Sequence, residues 1–406
     1  MLAAFVYRDF RVLWFGACSS SIGTWMQNLA ENWLVLSLTG SPRYLGLDAF
    51  LQQLPIMLFT LIGGVLADRL DRRRTLLASQ YVQASTAITL AFLVYVGYIR
   101  IWHILTLSFI TGCAQAFGGP AYQSLIPSLV EKRDLTNAIA LNSIQFNVAR
   151  VIGPLFAGAT LAAFAKWGFG DPEAMSACFS LNALSFLVVI AALMSLRIKH
   201  IPPATKQPMV DELRGGLRYV RHEARIRPLI VLAFVTTFLG MPLMTLLPVF
   251  ARDIFHSGVG EYSRLMAFSG AGAIAGSLIV AWLGRFRYMG ATTLIVQIAF
   301  GLLITMFAVS RILWVSYGLL FFTNVALMVV FSTVTSLVQL IAPNEMRGRV
   351  MSIYMLAFRG GMPLGSLASG YLAGTFGAPA VLLVNGSLLM LVAGYLLIRS
   401  HGVREL

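Results

Sequence analysis

Four polar side chains lie at helical spacing in the first long apolar stretch of the sequence. Glu31 is preceded by Asn28, Gln27 and Thr24, which are three, four and seven residues earlier. Residues at these intervals share one face of an α-helix, so the pattern indicates a polar stripe along a wet cavity. Because burial disfavours the charged form of a carboxyl group, we predict that Glu31 is a proton-binding carboxylate. A hydrated or paired Glu31 near an outer mouth is the open alternative.

Three more ionisable residues lie inside apolar stretches, where a charge costs ~3 kcal/mol or more at mid-membrane. Asp48 is the competing candidate for the proton site. Arg150 and Arg359 each lie well inside a stretch and could hold an anionic cargo, pair with a carboxylate or bond backbone carbonyls that nearby prolines expose. The predicted substrate cavity comprises Thr24, Gln27, Asn28, Gln115, Asn147, Arg150 and Arg359.

The composition is that of a membrane protein. Hydrophobic residues make up 58% of the 406 residues and charged residues 11%, whereas soluble proteins carry about 25% charged residues. A helix needs about 20 apolar residues to cross a bilayer, and the apolar stretches are too continuous for the strands of a barrel. We therefore predict an all-α membrane protein with twelve transmembrane helices. They span residues 10–37, 43–66, 75–96, 101–128, 137–164, 175–196, 226–253, 261–284, 289–309, 313–341, 348–374 and 378–399.

The longest polar stretch divides the spans into two sets of six. We predict an N-terminal six-helix bundle at 1–196, a cytoplasmic linker at 197–225 and a C-terminal six-helix bundle at 226–406. Apolar residues at helical spacing among charges favour an amphipathic helix over 210–225 that lies along the membrane surface. A solvated tether is the open alternative.

The basic residues behind the formal net charge of +14 indicate how the protein is oriented in the membrane. If both termini are cytoplasmic, 22 of the 30 Lys and Arg residues fall on the cytoplasmic side and 6 on the opposite side. Such an excess of basic residues in cytoplasmic loops is typical of membrane proteins, so the charge does not require a nucleic-acid partner. We predict a multi-pass protein of the bacterial inner membrane with both termini in the cytoplasm.

Two patterns repeat across the halves. The Ser-Ile, Arg and Pro residues of 143–154 recur with the same spacing in 352–363, and segment 63–74 matches 276–287. Both pairs fall on equivalent spans, the second with the eighth and the fifth with the eleventh. Parallel repeats of this kind are typical of two-bundle transporters whose site lies near the membrane midplane. The repeat therefore predicts two pseudo-symmetric bundles.

The loop after the second span combines a glycine, two aspartates and a basic cluster. These residues are Gly64, Asp68, Arg69, Asp71, Arg72 and Arg73. The loop resembles the signature loop of the major facilitator superfamily between its second and third helices, although Asp71 stands where that family usually has glycine. We predict a conformational latch, in which Asp68 caps a helix or pairs with an arginine in one conformation only. The alternative is that the arginines only enforce orientation.

A glycine-proline motif in the fifth span resembles that of the antiporter branch of the superfamily. Gly153 and Gly158 permit close contact between helices, and Pro154 bends the helix. With Pro363 at the repeat-equivalent position, these residues form a predicted helix-packing gate. Segment 111–115 departs from the superfamily, because it lacks the arginine usual in the fourth helix.

Further segments resemble the branch called transmembrane secretion effectors, which includes the enterobactin exporter. They lie at 8–14, 23–27, 33–42, 137–143 and 347–350. The resemblance implies efflux of a small, often bulky molecule coupled to proton entry.

We therefore predict a proton-coupled secondary active exporter of a small amphiphilic molecule, such as a siderophore, a macrolide or another drug-like compound, that works by alternating access. The predicted partners are the small-molecule substrate, protons and membrane lipid, and the protein is predicted to be a monomer. A lipid or lysophospholipid flippase on the same fold and a non-transporting sensor or assembly protein stay open. We expect no enzyme activity, cofactor or metal, because the five histidines lack metal-ligand spacing and no nucleotide-binding loop follows a strand.

Overall fold

The described part of the chain folds into twelve long helices, as predicted. The computed structural model describes residues 3–69, 71–196, 217–284, 286–399 and 404, with the side chains of 60–69 left out. The predicted and observed ends of each helix agree within four residues. The helices are α1 (Arg8–Thr39), α2 (Pro42–Arg69), α3 (Arg72–Tyr95), α4 (Ile101–Leu125), α5 (Leu135–Lys166), α6 (Asp171–Ser195), α7 (Ile226–Ile254), α8 (Val259–Leu283), α9 (Met289–Val309), α10 (Leu313–Ile341), α11 (Arg347–Phe376) and α12 (Ala378–Arg399).

Hydropathy separates these helices into two groups. Within the described residues, nine helices, α3 to α10 and α12, are long and apolar enough to cross a membrane. Of the other three, α1 and α11 carry Glu31 and Arg359 respectively, and α2, whose side chains at 60–69 lie outside the described residues, carries Asp48. Arg150 lies on α5, one of the nine, so the ionisable residues singled out from the sequence are found in both groups.

Glycines in the left-handed region end helices where the chain turns back. Gly40 has φ +63° and donates its N–H to Leu36 O at 2.8 Å, and Pro42 then begins α2. Gly377 has φ +84° and closes α11 through Ala373 O at 3.0 Å. Because only glycine adopts these conformations without strain, consecutive helices can be joined by very short turns.

The described residues group into two compact units. The first contains the described residues within 1–40, 51–204 and 257–267, and the second contains those within 41–50, 205–256 and 268–406. The predicted domain boundaries, at 196 and 226, stay a prediction. Of the predicted amphipathic helix over 210–225, residues 217–222 are helical, and residues 210–216 lie outside the described residues.

The two units share one packing scheme. In the first unit α1 packs against α5 and α6, and α3 packs against α4 and α6. In the second unit α7 packs against α11 and α12, and α9 packs against α10 and α12. Each helix in the second scheme corresponds to the helix six places earlier in the first. The internal repeat predicts this correspondence. Each unit has its own apolar core, with Phe10 and Phe186 in one and Leu229 and Tyr354 in the other.

Candidate functional site

Glu31 is buried inside the first unit. Its side chain lies on α1 and the residue is 5% exposed. Ser108 on α4 donates its hydroxyl to Glu31 Oε1 at 2.7 Å, and Gln27 Nε2, one turn earlier on α1, donates to Oε2 at 3.2 Å. The carboxyl group therefore joins two helices through neutral donors.

The hydrogen bonds continue from Gln27 to α6. Asn182 Nδ2 donates to Gln27 Oε1 at 2.7 Å, and the Ser185 hydroxyl donates to Asn182 Oδ1 at 3.0 Å. Gly23 makes room for this contact, because a methyl group built there would lie 2.5 Å from Ser185 Oγ. A single chain of side-chain hydrogen bonds thus runs from α6 through α1 to α4.

Sequence reasoning missed the partners on α4 and α6. Ser108 and Asn182 are 2% and 1% exposed, yet other hydroxyl residues flank each of them in its apolar run, Thr106 and Thr111 around Ser108 and Ser180 and Ser185 around Asn182. A serine in a membrane helix often bonds its own backbone, so Ser108 gave no distinct signal. Asn182 was a clearer signal in the sequence, since a side-chain amide in an apolar span needs a hydrogen-bond partner.

This arrangement suits a carboxyl group that changes its protonation state. Among the described residues, Glu31 accepts hydrogen bonds only from Ser108 and Gln27, and neither carries a charge. A buried carboxylate is costly unless an opposite charge compensates it, so protonation is the alternative that removes the charge. The site can therefore hold and release a proton without breaking an ion pair.

The other predicted cavity residues do not bond to Glu31. Thr24 and Asn147 bond carbonyl groups of their own helices, with Thr24 Oγ1 donating to Ser20 O at 2.8 Å and Asn147 Nδ2 to Ser143 O at 2.9 Å. Gln115 Nε2 donates to Gln83 Oε1 at 3.3 Å. Asn28 is partly buried on α1. Among the hydrogen bonds of the described residues, the structure thus joins only Gln27 of this set to Glu31.

Asp48 lies in a different unit from Glu31. It is 4% exposed on the part of α2 that belongs to the second unit. Asp48 is buried to the same degree as Glu31, so burial supports a proton-binding role equally for the two residues. Both carboxyl groups therefore stay candidates for the proton site.

The two intramembrane arginines have unequal surroundings. Arg150 is partly buried on α5, with its guanidinium carbon 5.7 Å from the centre of the Trp25 ring, and that ring meets Phe146 edge-on. Arg359 is exposed on α11. An arginine over an aromatic ring gains a cation–π contact, so Arg150 is held against α1.

Asp71 and the arginines after it fasten helix ends. Asp71 caps α3, because its Oδ1 accepts from the backbone N–H groups of Arg73 at 2.9 Å and Arg74 at 3.1 Å. Arg72 Nη1 donates to Ser124 O at the end of α4 at 2.9 Å, and Arg73 Nη2 donates to Met194 O at the end of α6 at 2.7 Å. Arginines suit these sites because the last carbonyls of a helix lack partners and carry partial negative charge. The side chains of Gly64, Asp68 and Arg69 lie outside the described residues.

The cap at Asp71 leads to a stability prediction. We expect Asp71→Ala to lower the free energy of unfolding by about 1 kcal/mol, because two N–H groups lose their acceptor. Asp71→Asn keeps a side-chain oxygen and should retain most of the stability. Melting of the purified protein in detergent, followed by intrinsic fluorescence, measures both. Equal melting temperatures for the alanine variant and the unchanged protein would contradict the role of this cap.

The glycine-proline motif lies at close helix contacts in the first unit. A methyl group built at Gly153 would lie 2.5 Å from Trp25 Cβ and 2.8 Å from Ile22 O, and one at Gly158 would lie 2.5 Å from Ser263 Oγ. The Ser263 hydroxyl donates to Pro154 O at 2.5 Å. Pro363 is buried on α11. Glycine is therefore needed sterically at both positions.

Comparison with known proteins agrees with this architecture. The sequence profile of the family described as transmembrane secretion effector matches residues 1–405. The staphyloferrin A transporter of Staphylococcus aureus is 25% identical, with 88% of this chain and 87% of that protein covered. The macrolide efflux protein A of Streptococcus pyogenes is 23% identical over 95% and 94%, and the enterobactin exporter of Citrobacter koseri is 24% identical over 97% and 92%.

Solved structures show the same fold. A bacterial homologue of the human lysosomal transporter Spinster superposes with a TM-score of 0.76 at 14% identity, covering 98% of this chain and 97% of that one. The nucleoside transporter NupG gives a TM-score of 0.73 at 14% identity, covering 97% and 99%. The profile match over nearly the whole sequence, on this twelve-helix scaffold, decides the family: the chain belongs to the transmembrane secretion effectors of the major facilitator superfamily of membrane transporters.

Proposed function

We propose that this protein is a proton-coupled exporter of a small amphiphilic molecule across the bacterial inner membrane. The observation that carries the proposal is the burial of Glu31 among neutral hydrogen-bond donors. In a protein that transports, an ionisable group of this kind in a membrane span is a candidate for ion coupling. Glu31 is the first candidate for the proton site, and Asp48 is the second.

Protonation of Glu31 changes more than its charge. As a carboxylate, Glu31 accepts from both Ser108 and Gln27; as an acid, one of its oxygens becomes a donor. That oxygen then needs an acceptor, so Ser108 or Gln27 must reorient. If Gln27 reorients, the rearrangement reaches α6, because Gln27 also accepts from Asn182. A proton on α1 can therefore alter the contacts among three helices of the first unit.

In the proposed cycle the two bundles alternate access to a central cavity. A proton from outside binds Glu31 as cargo leaves, and the neutral carboxyl group permits the bundles to rock. Loss of the proton to the cytoplasm returns Glu31 to its charged form and completes the cycle. The latch residues of the loop after α2, including Asp68, and the glycine-proline gate would bias the two conformations.

The cargo class is argued from the relatives. Their names concern a staphyloferrin, macrolides and enterobactin, and a further relative, at 26% identity, is a multidrug efflux pump of Mycolicibacterium fortuitum. These molecules differ in scaffold, so the common property we propose is a bulky body with polar groups. The glycine-proline motif of α5 supports export over import.

Reconstitution into liposomes tests the coupling. We expect an imposed pH gradient to drive a cargo chosen from a siderophore and macrolide panel against its own gradient, and we expect collapse of the pH gradient to abolish the accumulation. If one proton exchanges for one neutral molecule, a gradient of one pH unit can sustain at most an about tenfold concentration ratio, since ~1.4 kcal/mol corresponds to tenfold. Protein-free liposomes are the control. Cargo movement that is equally fast without a pH gradient would contradict proton coupling and favour a facilitated flippase.

A further inference from the structure

A groove lies at the junction of α9 and α10 in the second unit. Two cavities of about 570 and about 370 Å³ adjoin there and share Met289 and Leu340 in their walls. The first cavity is lined by apolar side chains, among them Phe286 and Leu337, and by Arg225 and Glu223, whereas Arg347 lines the second. The groove thus combines apolar walls with an arginine in each cavity.

The charges around the groove favour an anionic ligand. The polar segments 217–227, 286–288 and 342–349 carry seven arginines and two glutamates. One of those glutamates, Glu223, lines the larger cavity and accepts the Arg225 backbone N–H at 3.3 Å. Arg347 Nε donates to Gln339 O at 3.2 Å, which orients the guanidinium beside the second cavity. The segments around the groove therefore carry net positive charge.

Aromatic residues mark the level of the groove relative to the bilayer. Trp282 is 85% exposed and Tyr288 is 49% exposed, just before and after the turn that leads into α9. The Arg287 guanidinium carbon lies 4.8 Å from the centre of the Tyr288 ring. Exposed Trp and Tyr next to basic residues are typical of the membrane–water interface. The groove therefore lies at the depth of the lipid headgroups.

We propose that this groove binds the headgroup of an anionic phospholipid from the cytoplasmic leaflet. Arg225 and Arg347 would face the phosphate, and the exposed side chain of Leu340, with Leu337 and Ile341, would contact the start of an acyl chain. An apolar wall beside two arginines matches a molecule that is itself part anionic and part apolar. The proposal is independent of the cargo and of proton coupling, because binding can be measured without transport.

Thermal stability in detergent tests the site with the full chain. We expect added phosphatidylglycerol, but not phosphatidylcholine, to raise the melting temperature in a concentration-dependent way. The double variant Arg225→Gln with Arg347→Gln should bind phosphatidylglycerol about thirtyfold more weakly, because two cationic contacts are lost. Arg221→Gln is the matched control, since it removes an exposed charge from the same segment but does not line the groove.

Three results would overturn the proposal. Phosphatidylcholine could stabilise the protein as strongly as phosphatidylglycerol, or Arg221→Gln could weaken the effect as much as the double variant does. Inorganic phosphate alone could also reproduce the whole shift, which would make the groove a site for free anions. Should the double variant not fold, native mass spectrometry of the unchanged protein with a mixture of the two lipids decides the matter, because selective retention of phosphatidylglycerol is required.

Discussion

Glu31→Gln is expected to abolish proton-driven export while the protein stays folded and binds its cargo. Glutamine has the size of glutamate and cannot ionise, so it imitates the protonated acid. Its oxygen can still accept from Ser108, which lies 2.7 Å from Glu31 Oε1, but its amide nitrogen faces the Gln27 nitrogen that now donates to Oε2. The variant should therefore adopt the hydrogen-bond arrangement of the protonated state and remain in it.

The measurement compares two transport modes in liposomes. Accumulation driven by a pH gradient should fall to the level of protein-free liposomes, whereas exchange of labelled for unlabelled cargo, which needs no net proton movement, should persist. Glu345→Gln is the matched control, because it makes the same chemical change at an exposed position between α10 and α11. The control should transport as the unchanged protein does.

A variant of Asp48 is needed to interpret the result if Glu31→Gln transports normally. Normal gradient-driven transport by Glu31→Gln would remove Glu31 from the mechanism. If Asp48→Asn then lost coupling, the proton site would be the buried carboxyl of α2. If neither substitution affected coupling, the proposal of proton exchange at these two carboxyl groups would be wrong.

The sequence predicts the helices of this protein better than it predicts their contacts. A membrane of fixed thickness imposes a minimum length on every apolar run, so all twelve helices were predicted with ends accurate to four residues. Positions such as Gly40 also signal a helix end directly. Bilayer thickness and local backbone chemistry are properties that a sequence displays without knowledge of packing.

The site could be predicted only in part. The spacing of Gln27 and Glu31 on one helix follows from the sequence, but Ser108 and Asn182 are 77 and 155 residues away from their partners. Which faces of α1, α4 and α6 meet depends on how the whole bundle packs. The sequence therefore identifies the buried acid and Gln27, and leaves undetermined the donor on α4 and the partner of Gln27 on α6.

The structure gives a physical reason why this sequence has Asp71 where the superfamily usually has glycine. The sequence predicts this residue as part of a latch, at a position where the superfamily usually has glycine. In the structure its carboxylate caps α3, a local role that glycine cannot fill. The capping role and the latch are compatible, and the latch stays a prediction because the side chain of Asp68 lies outside the described residues.

Alanine at Gly153 or Gly365 is expected to destabilise the protein by about 1–3 kcal/mol, the range found for overpacked cores. At Gly365 the added methyl group would lie 2.7 Å from the carbonyl carbon and 2.8 Å from the Cα atom of Phe238. These are backbone atoms of α7, so no change of rotamer relieves the overlap. At Gly153 the methyl group would meet Trp25 Cβ and the Ile22 carbonyl on α1 in the same way.

The two substitutions probe equivalent helix pairs, α1 with α5 and α7 with α11, which the internal repeat relates. Gly394→Ala is the matched control, because nothing lies within 4 Å of a methyl group built there, and replacing glycine by alanine inside a helix otherwise stabilises by about 0.5–1 kcal/mol. Melting in detergent should thus show lower transition temperatures for Gly153→Ala and Gly365→Ala and an unchanged or higher one for Gly394→Ala. Equal stability of all three variants would mean that the two helix pairs accommodate the added methyl group without loss of stability. The close contacts at Gly153 and Gly365 would then not contribute to the stability of either bundle.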